Sequence, residues 1–490
     1  MELTASCVRA DFFGGLIMKT IKSLLLLTFI GILPIHLFAQ PVRFELGQRT
    51  RALEIAWDAQ PDTAARKRAS AYVKQAVTLF FAFKLNEAAK NLDQARFALK
   101  SAAPLSPAAQ WAESLYVLPE SRLLDKTAPT VAFTLDKFYP TTEAIPPGAV
   151  LKLSFSQANK AKTIDFPIAS LPLTEKLPLF FAKTADGDFT LTAKIVIGKK
   201  VLATSEQTIS VVENLAARIE KLRPMINGLM PGGTQPQTMK DLTILLDSLA
   251  RKKTLETNFP AARLLNEVEA AHKTSGDFYG KAKPGQFWLT LALAQGILPV
   301  RMLAPVAVKQ NKPLPLVIAL HGAGGSENMF FDTYGYGTIA QLCEQRGWLL
   351  VSPRGTGMKP ERVAEMIDAV AQLYPVDTKR VFVIGHSMGA GQAVAAAQLN
   401  PEKFAAVAVL GGGGGIRNPS EALKKLPFFI GIGTEDFALK NAKGLNEGLQ
   451  KAEVKQINYR EYPDIEHLII VQVALKDVFA FFAASQPRPE

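Results

Sequence analysis

Residues 381–390 read Val-Phe-Val-Ile-Gly-His-Ser-Met-Gly-Ala and give the clearest indication of the fold. Its first four residues are wholly apolar, as expected of a parallel strand that is buried on both faces. An alanine-rich stretch to Leu399 follows and predicts a helix. Between strand and helix lies Gly-x-Ser-x-Gly, whose glycines permit a tight turn that leaves the Ser387 hydroxyl exposed. The arrangement favours a nucleophilic Ser387 over a purely structural turn.

Strands and helices alternate on both sides of this stretch. Residues 317–320 and 348–351 are further short apolar runs, and helical patterns separate the runs. Strand, helix, strand, helix at these lengths predicts a mostly parallel sheet with right-handed crossovers. The helix after Ser387 directs its N-terminal dipole, together with the Met388 amide, at the point where an oxyanion forms during acyl transfer. The region from residue 284 to the end therefore carries the chemistry.

This region resembles the α/β-hydrolase superfamily, and the likeness covers about residues 284–486. The likeness rests on the Gly-x-Ser-x-Gly turn at Ser387, called the nucleophile elbow, and on the loop of residues 321–325, His-Gly-Ala-Gly-Gly. The sequence pattern of this region is similar to that of secreted bacterial esterases of the polyhydroxybutyrate-depolymerase and feruloyl-esterase type, and to that of prolyl-oligopeptidase-like hydrolases. In such families the His-Gly loop donates a second oxyanion amide. The resemblance assigns that amide to Ala323 first and to Gly322 second.

The same fold places the general base after the nucleophile and the acid in chain order. Only one histidine, His467, follows Ser387, so we predict that it is the base. The acid should follow the strand-like run of residues 428–433, where Glu435 and Asp436 stand. The resemblance favours Asp436, with Glu435 in reserve. Asp464 lies close before His467 and is expected to form a turn.

The N-terminal 39 residues have the layout of a secretory signal peptide with a natural start at Met18. Two lysines precede an apolar run to Leu33, and Ala39 suits cleavage before Gln40. We therefore expect a secreted or periplasmic protein. The alternative is an uncleaved anchor, but Pro34 interrupts a run that falls short of the roughly 20 residues of a spanning helix. No stable membrane span is expected after cleavage.

Composition changes divide the rest of the chain. We predict a helical segment at residues 40–127, a β-sandwich-like domain at 128–213, a second helical segment at 214–283 and the catalytic domain at 284–490. The connection between residues 410 and 427 is too short for the helical lid of lipases. The rim around Ser387 is then open, or covered by the sandwich and its flanking helices.

Overall composition excludes several classes of protein. Across 490 residues, 48% are hydrophobic and 20% charged, which excludes a disordered chain and a polytopic membrane protein. The net charge of +12 is scattered and interleaved with 44 acidic residues, so no nucleic-acid partner is expected. Two cysteines and five histidines exclude cysteine-rich zinc sites and disulfide frameworks. No cofactor or metal is required by the predicted chemistry.

The sequence thus predicts a secreted serine hydrolase that cleaves a small-molecule or polymeric carboxylic ester through Ser387, His467, Asp436 and an acyl-enzyme. One alternative is a prolyl-oligopeptidase-like peptidase, suggested by the C-terminal position of the catalytic domain. A second is a noncatalytic surface- or carbohydrate-binding protein with a relic hydrolase domain.

Overall fold

A computed structural model of the protein describes residues 40–157, 160–178, 185–228, 232–274, 277–280, 282–355 and 358–486. The predicted signal peptide, residues 1–39, lies outside the described residues. A search of those described residues finds no helix with the length and apolar character needed to cross a membrane.

Four helices open the described part of the chain. They are α1 (Gln40–Asp58), α2 (Thr63–Phe81), α3 (Leu85–Lys100) and α4 (Pro107–Glu113). Helix α2 begins where the Asp62 carboxylate accepts hydrogen bonds from the amides of Ala64 and Ala65, which satisfies donors that a helix leaves unpaired at its N-terminus. Its buried residues recur at helical spacing, with Ala65, Ala69, Val73 and Ala76 on one face. That face is directed into the protein.

A β-sandwich follows, built from a three-stranded and a five-stranded sheet around a core of its own. The strand orders are β1-β3-β6 and β2-β8-β7-β4-β5. The strands are β1 (Leu115–Pro119), β2 (Leu123–Asp125), β3 (Thr130–Lys137), β4 (Ala149–Gln157), β5 (Lys160–Pro167), β6 (Leu173–Pro178), β7 (Gly187–Ile197) and β8 (Lys200–Val212). In β4 buried and half-buried residues alternate, as in a strand with one face on the core.

The sandwich begins earlier in the chain than the sequence predicts. Strands β1 and β2 precede residue 128 and lie in the segment predicted to be helical. Both are short, and β2 pairs in parallel with β8, so its partner lies far along the chain. A short run that is completed by a distant strand gives little local signal of its own.

The second helical segment contains α5 (Leu215–Leu222), α6 (Pro224–Asn227), α7 (Thr234–Ala250) and α8 (Ala261–Lys273). Its helix α7 packs against the first strand of the sheet that follows. Its buried leucines, among them Leu242, Leu246 and Leu265, share one hydrophobic cluster with that sheet.

An eight-stranded sheet forms the C-terminal part of the chain, in the order β16-β15-β14-β13-β11-β12-β10-β9. β9 and β10 pair antiparallel with each other, β10 pairs antiparallel with β12, and the remaining pairs are parallel. The strands are β9 (Gly285–Ala292), β10 (Ile297–Ala304), β11 (Leu314–Leu320), β12 (Leu349–Pro353), β13 (Val376–His386), β14 (Ala406–Leu410), β15 (Phe428–Gly433) and β16 (Ile457–Tyr462). The helices between and after them are α9 (Thr338–Arg346), α10 (Pro360–Leu373), α11 (Met388–Leu399), α12 (Glu421–Lys425), α13 (Leu439–Lys451) and α14 (Ile470–Ala484).

Each face of this sheet shares its hydrophobic core with one of the helical segments. On one face, Trp57 of α1 and Val73 of α2 belong to the same buried cluster as Val317 and Phe382 of the sheet. On the other face, the second helical segment joins the cluster that includes Val383. Residues 40–490 accordingly form one compact unit.

The fold class predicted from the sequence is confirmed. A mostly parallel sheet of the α/β-hydrolase type follows a helical segment, a small β-sandwich and a second helical segment. The boundaries at residues 128, 214 and 284 stay predictions as limits of separate domains.

Candidate active site

Ser387 occupies a strained turn between β13 and α11. Its backbone has φ 56° and ψ −117°, a conformation that side-chain-bearing residues rarely adopt and that is held only by surrounding structure. Two glycines make the turn possible. A Cβ on Gly385 would lie 2.1 Å from the carbonyl oxygen of Gly389, and one on Gly389 would lie 2.1 Å from that of Leu320. The Gly-x-Ser-x-Gly spacing is therefore a steric requirement of the turn.

The structure brings together Ser387, His467 and Asp436, the three residues predicted to act. The Ser387 Oγ lies 2.9 Å from His467 Nε2, and His467 Nδ1 lies 2.9 and 3.1 Å from the two carboxylate oxygens of Asp436. Asp436 and His467 are 5% and 6% exposed, so their contact is largely shielded from water. The Ala438 amide donates to Asp436 Oδ1 at 2.8 Å and fixes the carboxylate. This geometry suits proton transfer from the serine hydroxyl to the imidazole.

The two other candidate acids lie elsewhere. Glu435 is exposed and pairs with Lys74 of α2 at 3.1 Å. Asp464 pairs with Lys67 of α2 at 3.1 Å, and its φ of 57° is that of a turn residue. In the described part of the chain, neither carboxylate is hydrogen-bonded to His467.

The loop after β11 faces Ser387 and contains the predicted oxyanion donors. Gly322, predicted second, lies against the hydroxyl of Tyr334, since a Cβ on Gly322 would lie 3.3 Å from that oxygen. Within the described ranges, the amides of Ala323 and Met388 have no hydrogen-bond acceptor. Both lie beside Ser387, and Met388 is the first residue of α11. These two amides are thus available to an oxyanion.

Tyr334 and His386 form a buried link that sequence reasoning missed. The Tyr334 hydroxyl donates to His386 Nδ1 at 2.7 Å, and His386 Nε2 donates to the backbone oxygen of His467 at 2.8 Å. Burial, and then the neighbouring His467, hold the pKa of His386 well below its ordinary value. A neutral imidazole fits one accepting and one donating nitrogen. The link joins the loop of Gly322 to the segment that carries His467.

Local sequence held little signal for this link. His386 stands inside the Gly-x-Ser-x-Gly motif, which marks it only as a neighbour of the nucleophile. Tyr334 belongs to the irregular helical turns of residues 329–337, which no motif marks. Phe437 follows the predicted acid directly, and its ring lies over the imidazole of His467 with centroids 4.2 Å apart.

Glu466, next to the base, is a second buried titratable group at the site. Its carboxylate accepts from the amides of Leu468 at 2.7 Å and Ile469 at 2.9 Å, just before α14 begins. Burial nevertheless raises its pKa to about 7. The charged form is therefore costly in the folded protein.

A cavity of about 190 Å³ lies over Ser387 and His467, and its other walls come mainly from the first helices. Arg43 of α1 donates to the carbonyl oxygen of Gly324 at 3.2 Å and pairs with Glu256 at 2.7 Å. The Phe80 ring of α2 lies against Gly324 of the same loop. No residue of the sandwich strands lines the cavity among those that the structure describes. The cover over the rim thus comes from α1, α2 and α3 together with residues 256 and 257, and not from the sandwich.

The described residues contain no group of histidine, cysteine, aspartate and glutamate side chains arranged to hold a metal ion.

Comparison with known proteins gives the class of protein. Residues 315–438 match the family described as alpha/beta hydrolase fold. A curated relative, the bifunctional acetylxylan esterase/xylanase XynS20E of Neocallimastix patriciarum, is 31% identical over 150 residues, which are 29% of this chain and 22% of that protein. The chain thus spans about a fifth of the length of that relative.

Several solved structures are similar to this chain at low identity. A thermostable esterase aligns over 76% of this chain and 98% of its own, with 14% identity and a TM-score of 0.37. The feruloyl esterase module of Clostridium thermocellum aligns over 44% and 99%, with 15% identity and a TM-score of 0.36. An S-formylglutathione hydrolase of Staphylococcus aureus aligns over 41% and 99%, with 15% identity and a TM-score of 0.34.

The family match over residues 315–438 and the sheet described above agree in placing this part of the chain in the α/β-hydrolase fold. The expected resemblance to the α/β-hydrolase superfamily is confirmed at the level of the fold. The printed activity of the curated relative agrees with the expected enzyme class, a serine hydrolase of the carboxylesterase-like type.

Proposed function

We propose that the chain hydrolyses carboxylic esters through Ser387, His467 and Asp436 by way of an acyl-enzyme. The observation that carries the proposal is the unbroken series of contacts from Ser387 Oγ to His467 and on to Asp436. Ester substrates are supported further by the printed activity of the relative, an acetylxylan esterase.

In the proposed first half-reaction, the Ser387 hydroxyl attacks the ester carbonyl while His467 Nε2 takes its proton. The Asp436 carboxylate accepts the hydrogen bond from His467 Nδ1 and stabilises the imidazolium. The amides of Ala323 and Met388 hold the negative charge on the former carbonyl oxygen. His467 then protonates the departing alcohol.

In the second half-reaction, water attacks the acyl group on Ser387 and gives its proton to His467. The tetrahedral oxygen is held by the same two amides, and Ser387 leaves with the proton from His467. The carboxylic acid is released and the free enzyme is regained.

The test is labelling with a fluorophosphonate, followed by parallel assays on p-nitrophenyl acetate, a feruloyl ester and a proline-containing peptide. We expect covalent labelling that is lost in Ser387→Ala, and ester turnover that falls by about 10⁶-fold in the same variant. Cleavage of the peptide without ester turnover would instead favour the peptidase alternative. Absence of both labelling and turnover in the wild-type protein would favour a relic domain.

We also propose that the protein is exported. The support is the signal-like pattern that starts at Met18 and ends at Ala39. N-terminal sequencing of protein recovered outside the cytoplasm should begin at Gln40.

A further inference from the structure

We propose that the cavity over Ser387 is an acyl-binding chamber, built by the N-terminal helices, that selects apolar acyl groups of about six to eight carbons. The inference rests on the proposed ester hydrolysis and adds the class of substrate. It assigns a function to α1, α2 and α3, which lie more than 200 residues before Ser387 in the chain.

The walls of the cavity are the first argument. Beside Ser387 they are mostly apolar side chains from the N-terminal helices and from the loop that precedes α9. The apolar side chains in the lining include Phe44, Leu46, Val77, Phe80, Leu92 and Met329. Apolar walls favour apolar groups because each methylene removed from water contributes about 0.8 kcal/mol.

The size of the cavity is the second argument. A dry apolar cavity of about 150 Å³ holds a benzene molecule. At about 190 Å³ this chamber has room for a slightly larger group. Acyl groups much longer than eight carbons would have to leave part of the chain in water.

A second cavity lies next to the first and indicates whether the acyl part or the alcohol part of the ester occupies the chamber. It measures about 680 Å³ and shares Gln48, Arg51, Thr257 and Asp332 with the first, so the two adjoin. Its further lining includes polar side chains such as Arg301 and Gln286. Only the acyl group stays attached to Ser387 in the acyl-enzyme, whereas the alcohol must leave. The smaller and more apolar chamber therefore suits the retained acyl group, and the larger cavity, which is the more polar of the two, suits the alcohol.

Two side chains of α2 allow the chamber to be resized. Val77 is half-buried and lines it, so Val77→Trp narrows it. Phe80 lies between α2 and the loop of Gly324, so Phe80→Ala widens it. Thr78, the next residue along α2, is exposed and does not line the cavity. Thr78→Trp is thus a matched control for the addition of a large ring to this helix.

The experiment measures kcat/KM of the full chain and the three variants on p-nitrophenyl esters from acetate to hexadecanoate. For the wild type, we expect a rise of about 10- to 100-fold from acetate to hexanoate or octanoate, then a fall of about tenfold or more by dodecanoate. Val77→Trp should move the optimum to acetate or propionate, and Phe80→Ala should move it to longer acyl groups. Thr78→Trp should keep the wild-type profile.

The outcomes separate this inference from the proposed function. The chamber would be wrong if the wild-type kcat/KM stayed flat from hexanoate to hexadecanoate, or if both resized variants kept the wild-type profile. The proposed ester hydrolysis would still stand in either case, provided that a fluorophosphonate labels Ser387. A parallel series of alkyl acetates tests the orientation, since a preference set by the alcohol chain alone would overturn it. If Val77→Trp does not fold, the Phe80→Ala profile decides.

Discussion

Helices α1–α3 and the β-sandwich both precede the hydrolase sheet, yet they relate to the site in different ways. The helices share a hydrophobic core with the sheet and line the cavity over Ser387. The sandwich is built around a core of its own, and its described strands contribute nothing to either cavity. Both regions look like accessory segments in the sequence, but only the helices belong to the candidate active site. Contact with the sheet, and not position along the chain, decides which region can affect catalysis.

The largest effect should come from within the triad itself. Asp436→Asn should lower kcat by about 10⁴-fold, because an amide cannot hold His467 in the tautomer that accepts a proton from Ser387. Asp464→Asn is the matched control and should change kcat less than about twofold, since its carboxylate is partly exposed and pairs with Lys67. Steady-state kinetics on p-nitrophenyl acetate measures both. The opposite ranking would move the acid to Asp464.

The next prediction tests the two regions against each other. Trp57→Ala in α1 and Phe133→Ala in β3 each remove a fully buried aromatic side chain and should each lower the free energy of unfolding by about 3–5 kcal/mol. Only Trp57→Ala should also lower kcat/KM, because α1 lines the cavity. Denaturant unfolding and ester kinetics on the same samples provide the check. Equal kinetic losses would mean that the sandwich influences the site as much as the helices do.

A pH effect of intermediate size should arise at Glu466. Burial raises its pKa to about 7 from an ordinary value of 4.5. A carboxyl group with a raised pKa contributes its full stability below the ordinary pKa and loses it as the pH rises through 7. Relative to Glu466→Gln, the wild type should therefore lose about 1–3 kcal/mol of unfolding free energy between about pH 5 and pH 8. If the unfolding free energies of the wild type and of Glu466→Gln changed with pH by the same amount, this prediction would be contradicted.

The smallest effect should come from the exposed contact between α2 and the loop that carries Asp436. Lys74 and Glu435 are 58% and 47% exposed, and exposed ion pairs contribute only about 0–1 kcal/mol. Lys74→Ala should change thermal stability by at most that amount and leave kcat nearly unaltered. A large loss of kcat that Lys74→Arg restores would show instead that this pair positions the loop of Asp436.

The sequence predicts those parts of the site that are marked by neighbouring residues, and it does not predict those that depend on contacts between distant segments. The elbow is local, so Ser387 and its turn are readable from neighbouring residues, and His467 follows from the scarcity of histidines. Tyr334 and Phe80 carry no such pattern, because their contacts with Gly322 and Gly324 join segments far apart in the chain. The early strands β1 and β2 escape prediction for the same reason. Hydrophobic periodicity reveals a helix but does not reveal what its apolar face will cover.

The contacts of α1 also bear on the order in which the protein assembles. Arg43 donates to the carbonyl oxygen of Gly324, which lies 281 residues later in the chain. The backbone oxygen of Glu54 accepts a hydrogen bond from Gln472, 418 residues later. Contacts of such long sequence separation close late and slow the search for the native state. The walls of the chamber are thus made first and the general base nearly last. The proposed hydrolysis therefore requires that both of these distant segments have been synthesised and have come into contact.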